Sequence, residues 1–593
     1  MTQEAPLARA YALLRRGQLA DAEALCRATL EGSSGSATAL HLLGLIRKDA
    51  GDTVTGERLL RESIAAEPSR AEFRANLANL LRRLGRLKEA ERSYRDALGL
   101  DPEFRPARLG LARTLHELGE HAAAESEGRV LVASHPRDCR AWAVLATALR
   151  DQNRLAEAEL AYRTSIEAQP AYAPAHLFLG ALLSRADRAE EALEALTRAQ
   201  SLGIKGFELA FHRGRALLAL YRVDEAERAF AEAVALRPLH AVAQANLARV
   251  RFMRDEQDFA RDITAVAVAH RDEVPVQLLL ATVLQRTGDL AGAEASLREA
   301  IERNGALPQL RTALANVLHE TGALKEAETE ALEAATASPN DSRVVENLVA
   351  ILLARGKPDD AEPFIQAQRA RNPLDQAWLA WEASAARLLG QPRYRELFDY
   401  QRLVCSYRVE PPPGWSSMAG LNAALVRALD SRHRFATLPL DESLRYGSLM
   451  TRSLLTEREP AFQAIIKAFE GPIESYRQAV GADPAHPLSA RNRGKTRYTN
   501  VWSVRLQRGG FHVNHIHPTG WISAVYYVSV PDDVADVKLM SGWLKFGEPR
   551  YLVPGASPEC FIKPQPGLLV LFPSYMWNGT NPIRGSEPCT TIG

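Results

Sequence analysis

Residues 71–104 read AEFRANLANLLRRLGRLKEAERSYRDALGLDPEF. Gly85 marks a turn between two amphipathic stretches, with Ala78 seven residues before it, Ala90 five after and Pro102 seventeen after. Steps of 34 in both directions meet Gly17, Gly51, Gly119, Asn153, Asp187, Tyr221 and Asp255. One step of 33 reaches Gly288, and Gly322 and Gly356 follow at 34. The small residue at plus five recurs from Ala22 to Ala361, and the one at minus seven from Ala10 to Ala315. The proline recurs at Pro68, Pro136, Pro170, Pro238, Pro339 and Pro373. Physically, each of the eleven units is a helix pair. Glycine or asparagine at the anchor accepts a left-handed turn. Small residues let the two helices cross closely, and proline stops the second helix because it cannot extend the hydrogen-bond ladder. One pair cannot bury its apolar face alone, so neighbours stack into a solenoid.

This register resembles tetratricopeptide repeats over roughly residues 4–375. The resemblance implies a partner-binding scaffold that holds a protein or peptide in a concave groove lined by the first helix of each pair. Asn76, Asn79, Asn246, Asn316 and Asn347 fall on that helix, and their amides suit an extended peptide backbone. The plainer alternative is that they are solvated polar positions. Tyr221 at an anchor and the missing prolines at Ile204, Asp272 and Gly305 predict a looser or bent middle.

At 593 residues the chain is too long for one core. Lys plus Arg is 73 against 72 for Asp plus Glu, a near-neutral balance that argues against nucleic acid or an anionic membrane as the main partner. No run of 18 apolar residues exists, so no membrane span is expected. The opening MTQEAPLARAYALLRRG has no signal-peptide apolar core. Five scattered cysteines without a C-x-x-C pair read as reduced thiols, and the expected location is cytoplasmic.

After Pro373, Trp378, Trp381 and Leu389 continue a helical pattern that caps the array. Pro411 to Gly414 is a break, and helical stretches follow at Met418–Leu429 and Ala461–Val480. From Arg497 the texture is that of short strands: Thr499–Leu506, Phe511–His517, Trp521–Val530, Gly542–Phe546, Cys560–Lys563, Leu568–Phe572 and Trp577–Thr580. The expected fold is multidomain α + β. A solenoid spans 1–390, a connecting helical region of the C-terminal domain spans 391–496, and a jelly-roll barrel spans 497–593.

His515 and His517 lie two apart, on one face of a regular strand, while His512 would point the other way. Neutral imidazoles aimed into a small barrel suit iron, zinc, copper or nickel. Alone, a His-x-His pair is more often an ordinary polar strand.

The stretch Gly510–Tyr527, containing FHVNHIHPTGWISAVYY, and the stretch Lys563–Trp577, ending LLVLFPSYMW, resemble bacterial 2-oxoglutarate/Fe(II) oxygenases of the double-stranded β-helix fold. Glu442 to Gly447 resembles a weakened upstream motif of that family. The resemblance covers about residues 395–593. It implies Fe(II) and 2-oxoglutarate as cofactors, with iron held by His515, His517 and a distal histidine. It also implies an arginine gripping the far carboxylate of 2-oxoglutarate, since a guanidinium matches a carboxylate bidentately. The chain departs from the pattern twice: Asn578 stands at the distal histidine and Cys589 at the arginine. Arg505 and Arg584 are the candidate replacements for the clamp, with Lys545 and Lys563 behind them. Two readings stand at this point. One is a repeat scaffold fused to an Fe(II)/2-oxoglutarate-dependent hydroxylase acting on a protein or peptide. The other is a partner-binding protein with a degenerate, non-catalytic oxygenase domain and no cofactor.

Overall fold

A computed structural model describes residues 4–32, 36–185, 188–254, 256–430, 432–433, 444–450 and 453–593. Packing divides the chain into two compact units, Met1–Ala216 and Leu217–Gly593. In the first unit helices come in pairs about the predicted anchors. Ala37–Asp49 and Thr53–Ala66 flank Gly51, whose φ of +90° turns the chain back. Gly17, Gly85, Gly119 and Asn153 hold φ between 60° and 78°. A β-carbon added at Gly44 would lie 3.1 Å from the carbonyl oxygen of Gly56, and one at Gly56 would lie 3.0 Å from that of Gly44. The two backbones touch where the helices cross, which is why these positions stay small. Helices Thr53–Ala66, Leu87–Leu100 and His121–Ser134 each stop two residues before their proline. The anchors Asp187 and Asp255 lie outside the described residues.

The second unit carries the later repeats. Tyr221 adopts the left-handed turn, φ +57°, although it lacks glycine's freedom, at a backbone cost of about 1–2 kcal/mol. The irregularity sits one repeat later. Among the described residues, helix Arg261–Ala269, at nine residues, is the shortest of the array, beside the shortened step. The beat also runs one step beyond Gly356: Gly390, φ +66°, follows helix Gln376–Leu388, which buries Trp378 and Trp381.

Among the described residues nine strands follow: β1 (Cys405–Arg408), β2 (Leu444–Leu449), β3 (Ser503–His512), β4 (Ile522–Ser529), β5 (Leu544–Phe546), β6 (Cys560–Ile562), β7 (Leu568–Pro573), β8 (Asn578–Thr580) and β9 (Cys589–Ile592). They form a six-stranded sheet, β1-β7-β4-β9-β3-β2, and a three-stranded sheet, β6-β5-β8, with antiparallel pairing throughout. Two expectations are corrected here. The region 391–496, expected to be helical, supplies both edge strands of the large sheet; four to six residues are too few to show a period. The expected strands Thr499–Leu506 and Phe511–His517 are instead one strand, β3, that starts at Ser503, passes through Gly509 and Gly510, and stops at His512. The motif Glu442–Gly447 is described only from Leu444, where β2 begins; Glu442 and Ser443 lie outside the described residues.

Helices Met418–Asp430 and Pro460–Val480 meet the outer side of the large sheet. Tyr526 of β4 meets Phe469 at a tilt, ring centroids 5.2 Å apart, and donates to Asn422 Oδ1 at 2.7 Å. The end of the array packs directly on the sheets. Trp381 meets Trp577 edge-on at 4.9 Å, and the Trp577 indole donates to Ser384 at 3.1 Å. Arg387 pairs with Glu559 at 3.1 Å and donates to the Gly547 carbonyl at 3.0 Å. One apolar cluster therefore runs from Ala281 to Ile592. Packing thus cuts across the sequence-based segments 1–390, 391–496 and 497–593, because the aromatic face of the last array helix is completed by the strands. Among the described residues no helix is long and apolar enough to cross a membrane, and all five cysteines are free.

Candidate functional site

Alternation along β3 and β4 aims Val504, Leu506, Val525 and Tyr527 into a cavity of about 470 Å³ between the sheets. His512, His515, His517, Asn578 and Cys589 line the same cavity. The histidines do not arrive there by strand alternation. β3 ends at His512, and the chain then crosses to β8 through a single bridge, His515 to Asn578. His512, expected to face away, therefore joins the other two. Ring centroids lie 5.6 Å apart for His512 and His515, and 5.0 Å for His515 and His517. Trp502 stacks on His517 at 5.7 Å.

The segment is held by backbone pairing. His515 N–H donates to Asn578 O at 2.8 Å, Asn578 N–H to His515 O at 3.0 Å, and His517 N–H to Ser574 O at 2.9 Å. The Asn578 side-chain NH2 is spent in the same way. Its NH2 donates to His515 O and Met576 O, both at 3.0 Å. With His515 Nδ1 2.8 Å from the Val513 carbonyl, its protonated nitrogen is Nδ1, which leaves Nε2 as the free lone pair. Burial, and then the neighbouring imidazoles, push His512 down to about 3. Burial followed by His515 does the same to His517, and burial lowers His515 as well. All three are neutral near pH 7, the form that binds a metal. Burial raises the Cys589 thiol to about 12, so it stays protonated and uncharged. Two buried polar atoms of the cavity-lining residues have no hydrogen-bond partner, His512 Nδ1 and the Tyr527 hydroxyl.

The expected clamp residues lie elsewhere. Arg505 is out of phase with Val504 and Leu506, so it leaves the opposite face of β3 and pairs with Asp430 at 2.6 Å. Arg584 is exposed in the turn after β8, where its backbone N–H meets Asp533 and Ser541. Lys545 pairs with Glu548, and Lys563 donates to the Ala535 carbonyl. The arginine that does line the cavity is Arg249, from array helix Ala241–Met253. Nothing in its local sequence sets it apart from the other array arginines; only tertiary packing places it there.

The five asparagines each make a hydrogen bond inside the array, and Asn347 Oδ1 is left buried without a partner. Asn76 meets His41 Nε2 at 3.0 Å, and Asn79 accepts from the Tyr94 hydroxyl at 2.7 Å. Asn246 donates to the Val242 carbonyl of its own helix at 2.7 Å. Asn347 donates to Asn316 Oδ1 at 2.7 Å, linking successive repeats.

Residues 500–593 match the family model described as "Putative 2OG-Fe(II) oxygenase". Tetratricopeptide repeat models match residues 85–148, and also 41–103, 144–206 and 278–342. No curated protein matches the chain. Similar solved structures include yeast Tom70, at 15% identity, covering 66% of this chain and 96% of that one, with a TM-score of 0.39. A tetratricopeptide repeat protein from Parabacteroides merdae is 18% identical over 41% of this chain and 97% of that one, TM-score 0.35. A thermophilic TPR protein from Thermus thermophilus is 26% identical over 31% and 99%, TM-score 0.27. These TM-scores are too low to carry a comparison of architecture. The chain is a tetratricopeptide repeat scaffold fused, over residues 500–593, to a domain of the putative 2OG-Fe(II) oxygenase family.

Proposed function

We propose that this chain is a partner-binding repeat scaffold whose oxygenase-type domain keeps its cavity and imidazoles but has lost the equipment for 2-oxoglutarate turnover. The observation that carries this reading is the pair of cavity residues Asn578 and Cys589. Asn578 uses its amide hydrogens to pin the His515 and Met576 carbonyls, a structural task. Cys589 is a buried, uncharged thiol. The donor set fits the metal better than the cosubstrate. Neutral imidazoles at His512, His515 and His517 suit Fe(II), which would supply oxygen activation if bound. The cavity's own strands offer no cation to grip a dicarboxylate: Arg505 points outward, and Arg584 lies in an exposed turn. What these residues can do is hold a small polar ligand, with Tyr527 and His512 supplying unspent polar atoms and Trp502, Val504 and Leu506 excluding water. The array supplies the partner site, for a protein or peptide. Its asparagines bond partly within the array, and Asn347 Oδ1 keeps an unspent acceptor.

A second reading, hydroxylation of the bound partner, is favoured by the three neutral imidazoles and by Arg249 at the cavity wall. Anaerobic addition of Fe(II) and 2-oxoglutarate, followed by oxygen, separates the two. The degenerate reading expects no charge-transfer band and no succinate from the wild type, and both signals from Asn578→His with Cys589→Arg. Succinate release by the wild type at a rate that His515→Ala abolishes would overturn it.

A further inference from the structure

Far along the sequence from the oxygenase domain, His116, His121 and Asp151 converge in the first unit. His116 ends helix Arg105–Glu117, His121 opens helix His121–Ser134, and Asp151 ends helix Cys139–Asp151 of the next repeat. The Gly119 turn, φ +78°, folds the two histidines toward each other. Their donor atoms and that of Asp151 all lie within 4.8 Å of one another, the only such trio of His, Cys, Asp or Glu among the described residues. His116 Nδ1 is 2.8 Å from Asp151 Oδ2, and His121 Nδ1 is 3.9 Å from the same oxygen.

An inter-repeat rung accounts for part of this. Asn76 with His41, and Arg82 with Glu117, join successive repeats at the same spacing of 35 as His116 with Asp151. It does not account for His121, which comes from across the turn and brings a second ring nitrogen to the same carboxylate. Nor does it account for the geometry. Both Nδ1 atoms are shut off from solvent and neither meets the angles of a regular hydrogen bond, although, against the upward push of burial, His116 lies close enough to Asp151 to hold its carboxyl below the usual range. Three donor atoms within 4.8 Å of one another match the spacing of co-ligands of a common ion. Arg150 Nε holds the other carboxylate oxygen at 2.7 Å, which orients Asp151 as an outer partner of a metal ligand does. The three side chains are 18% to 35% exposed.

We propose that His116, His121 and Asp151 bind a divalent transition ion of the zinc class and so clamp the fourth repeat to the fifth. Two imidazoles and one carboxylate suit zinc, cobalt or nickel rather than calcium or magnesium, which take oxygen ligands. The site is independent of the reading given above for the barrel. The test uses the full chain, stripped with chelator and titrated with Zn2+ by calorimetry and with Co2+ by visible absorption. The wild type is expected to take up one more equivalent than His121→Ala, with a Co2+ d–d band and a rise in Tm that the variant lacks. Asp151→Asn is expected to weaken that equivalent by about tenfold or more; it serves alone if His121→Ala fails to fold. Equal stoichiometry and affinity in wild type and variants, or no uptake by the wild type, would overturn the proposal.

Discussion

Two histidine clusters in one chain differ in how they are built. In the array, His116 and His121 are part-exposed, face a carboxylate, and meet because a turn and a repeat spacing bring them together. In the barrel, His512, His515 and His517 are also half-buried, but they face an amide and a thiol and meet because a strand stops. The conspicuous sequence motif, His-x-His, belongs to the cluster that has no carboxylate among the described residues lining its cavity. The cluster with a complete donor set has no recognisable motif, since its third member lies 30 residues from His121. Periodic structure gathers residues by arithmetic, whereas a barrel gathers them by closure.

The sharpest way to break the contrast is to remove the seam that joins array to barrel. Trp577→Ala deletes a buried indole packed on Trp381 and should cost about 3–5 kcal/mol. If the two regions share one core, hydrogen-exchange protection falls together in helix Gln376–Leu388 and in β7; protection lost in β7 alone would mean they are separable. Within the array, Gly56→Ala places a methyl 3.0 Å from the Gly44 carbonyl oxygen, and should lower stability by about 1–3 kcal/mol in urea titration. For the barrel, pH is the probe. His512 is neutral when folded and takes a proton near pH 6.5 when unfolded. Its contribution is therefore complete above about 6.5 and is lost as pH falls toward about 3, at about 1.4 kcal/mol per pH unit. His512→Leu should flatten the acid limb of stability against pH by that one proton. The smallest effect is expected at Arg505→Ala. It removes a surface pair with Asp430, should cost less than about 1 kcal/mol, and should leave any ligand affinity of the cavity unchanged. A large loss of affinity would place the guanidinium inside the cavity after all.

Legibility followed the same divide. Anchors at Gly51, Gly85 and Asn153 could be placed to the residue, because each repeats a local backbone requirement and the turn forms as expected. Tyr221 shows the limit: the register forced a left-handed turn on a residue that does not favour it. In the barrel, strand texture located β4, β5, β6, β7 and β8 to within one or two residues. It did not locate β1, β2 and β9, whose few residues acquire strand geometry only by pairing with β7, β3 and β4. It also misjudged His512, since assuming an unbroken strand through His517 put the ring on the wrong side.

By itself, the sequence determined the solenoid, its helix boundaries, its tightest crossings and the kinship of residues 500–593, because these depend on residues near one another or on a repeated pattern. Tertiary structure alone decided which side chains face the cavity, that Arg505 turns away while Arg249 comes to its wall, and that the array's last helix completes the barrel's core. It alone also brought Asp151 to two histidines. Those outcomes depend on where a strand ends and on contacts between distant segments, and no local preference encodes either.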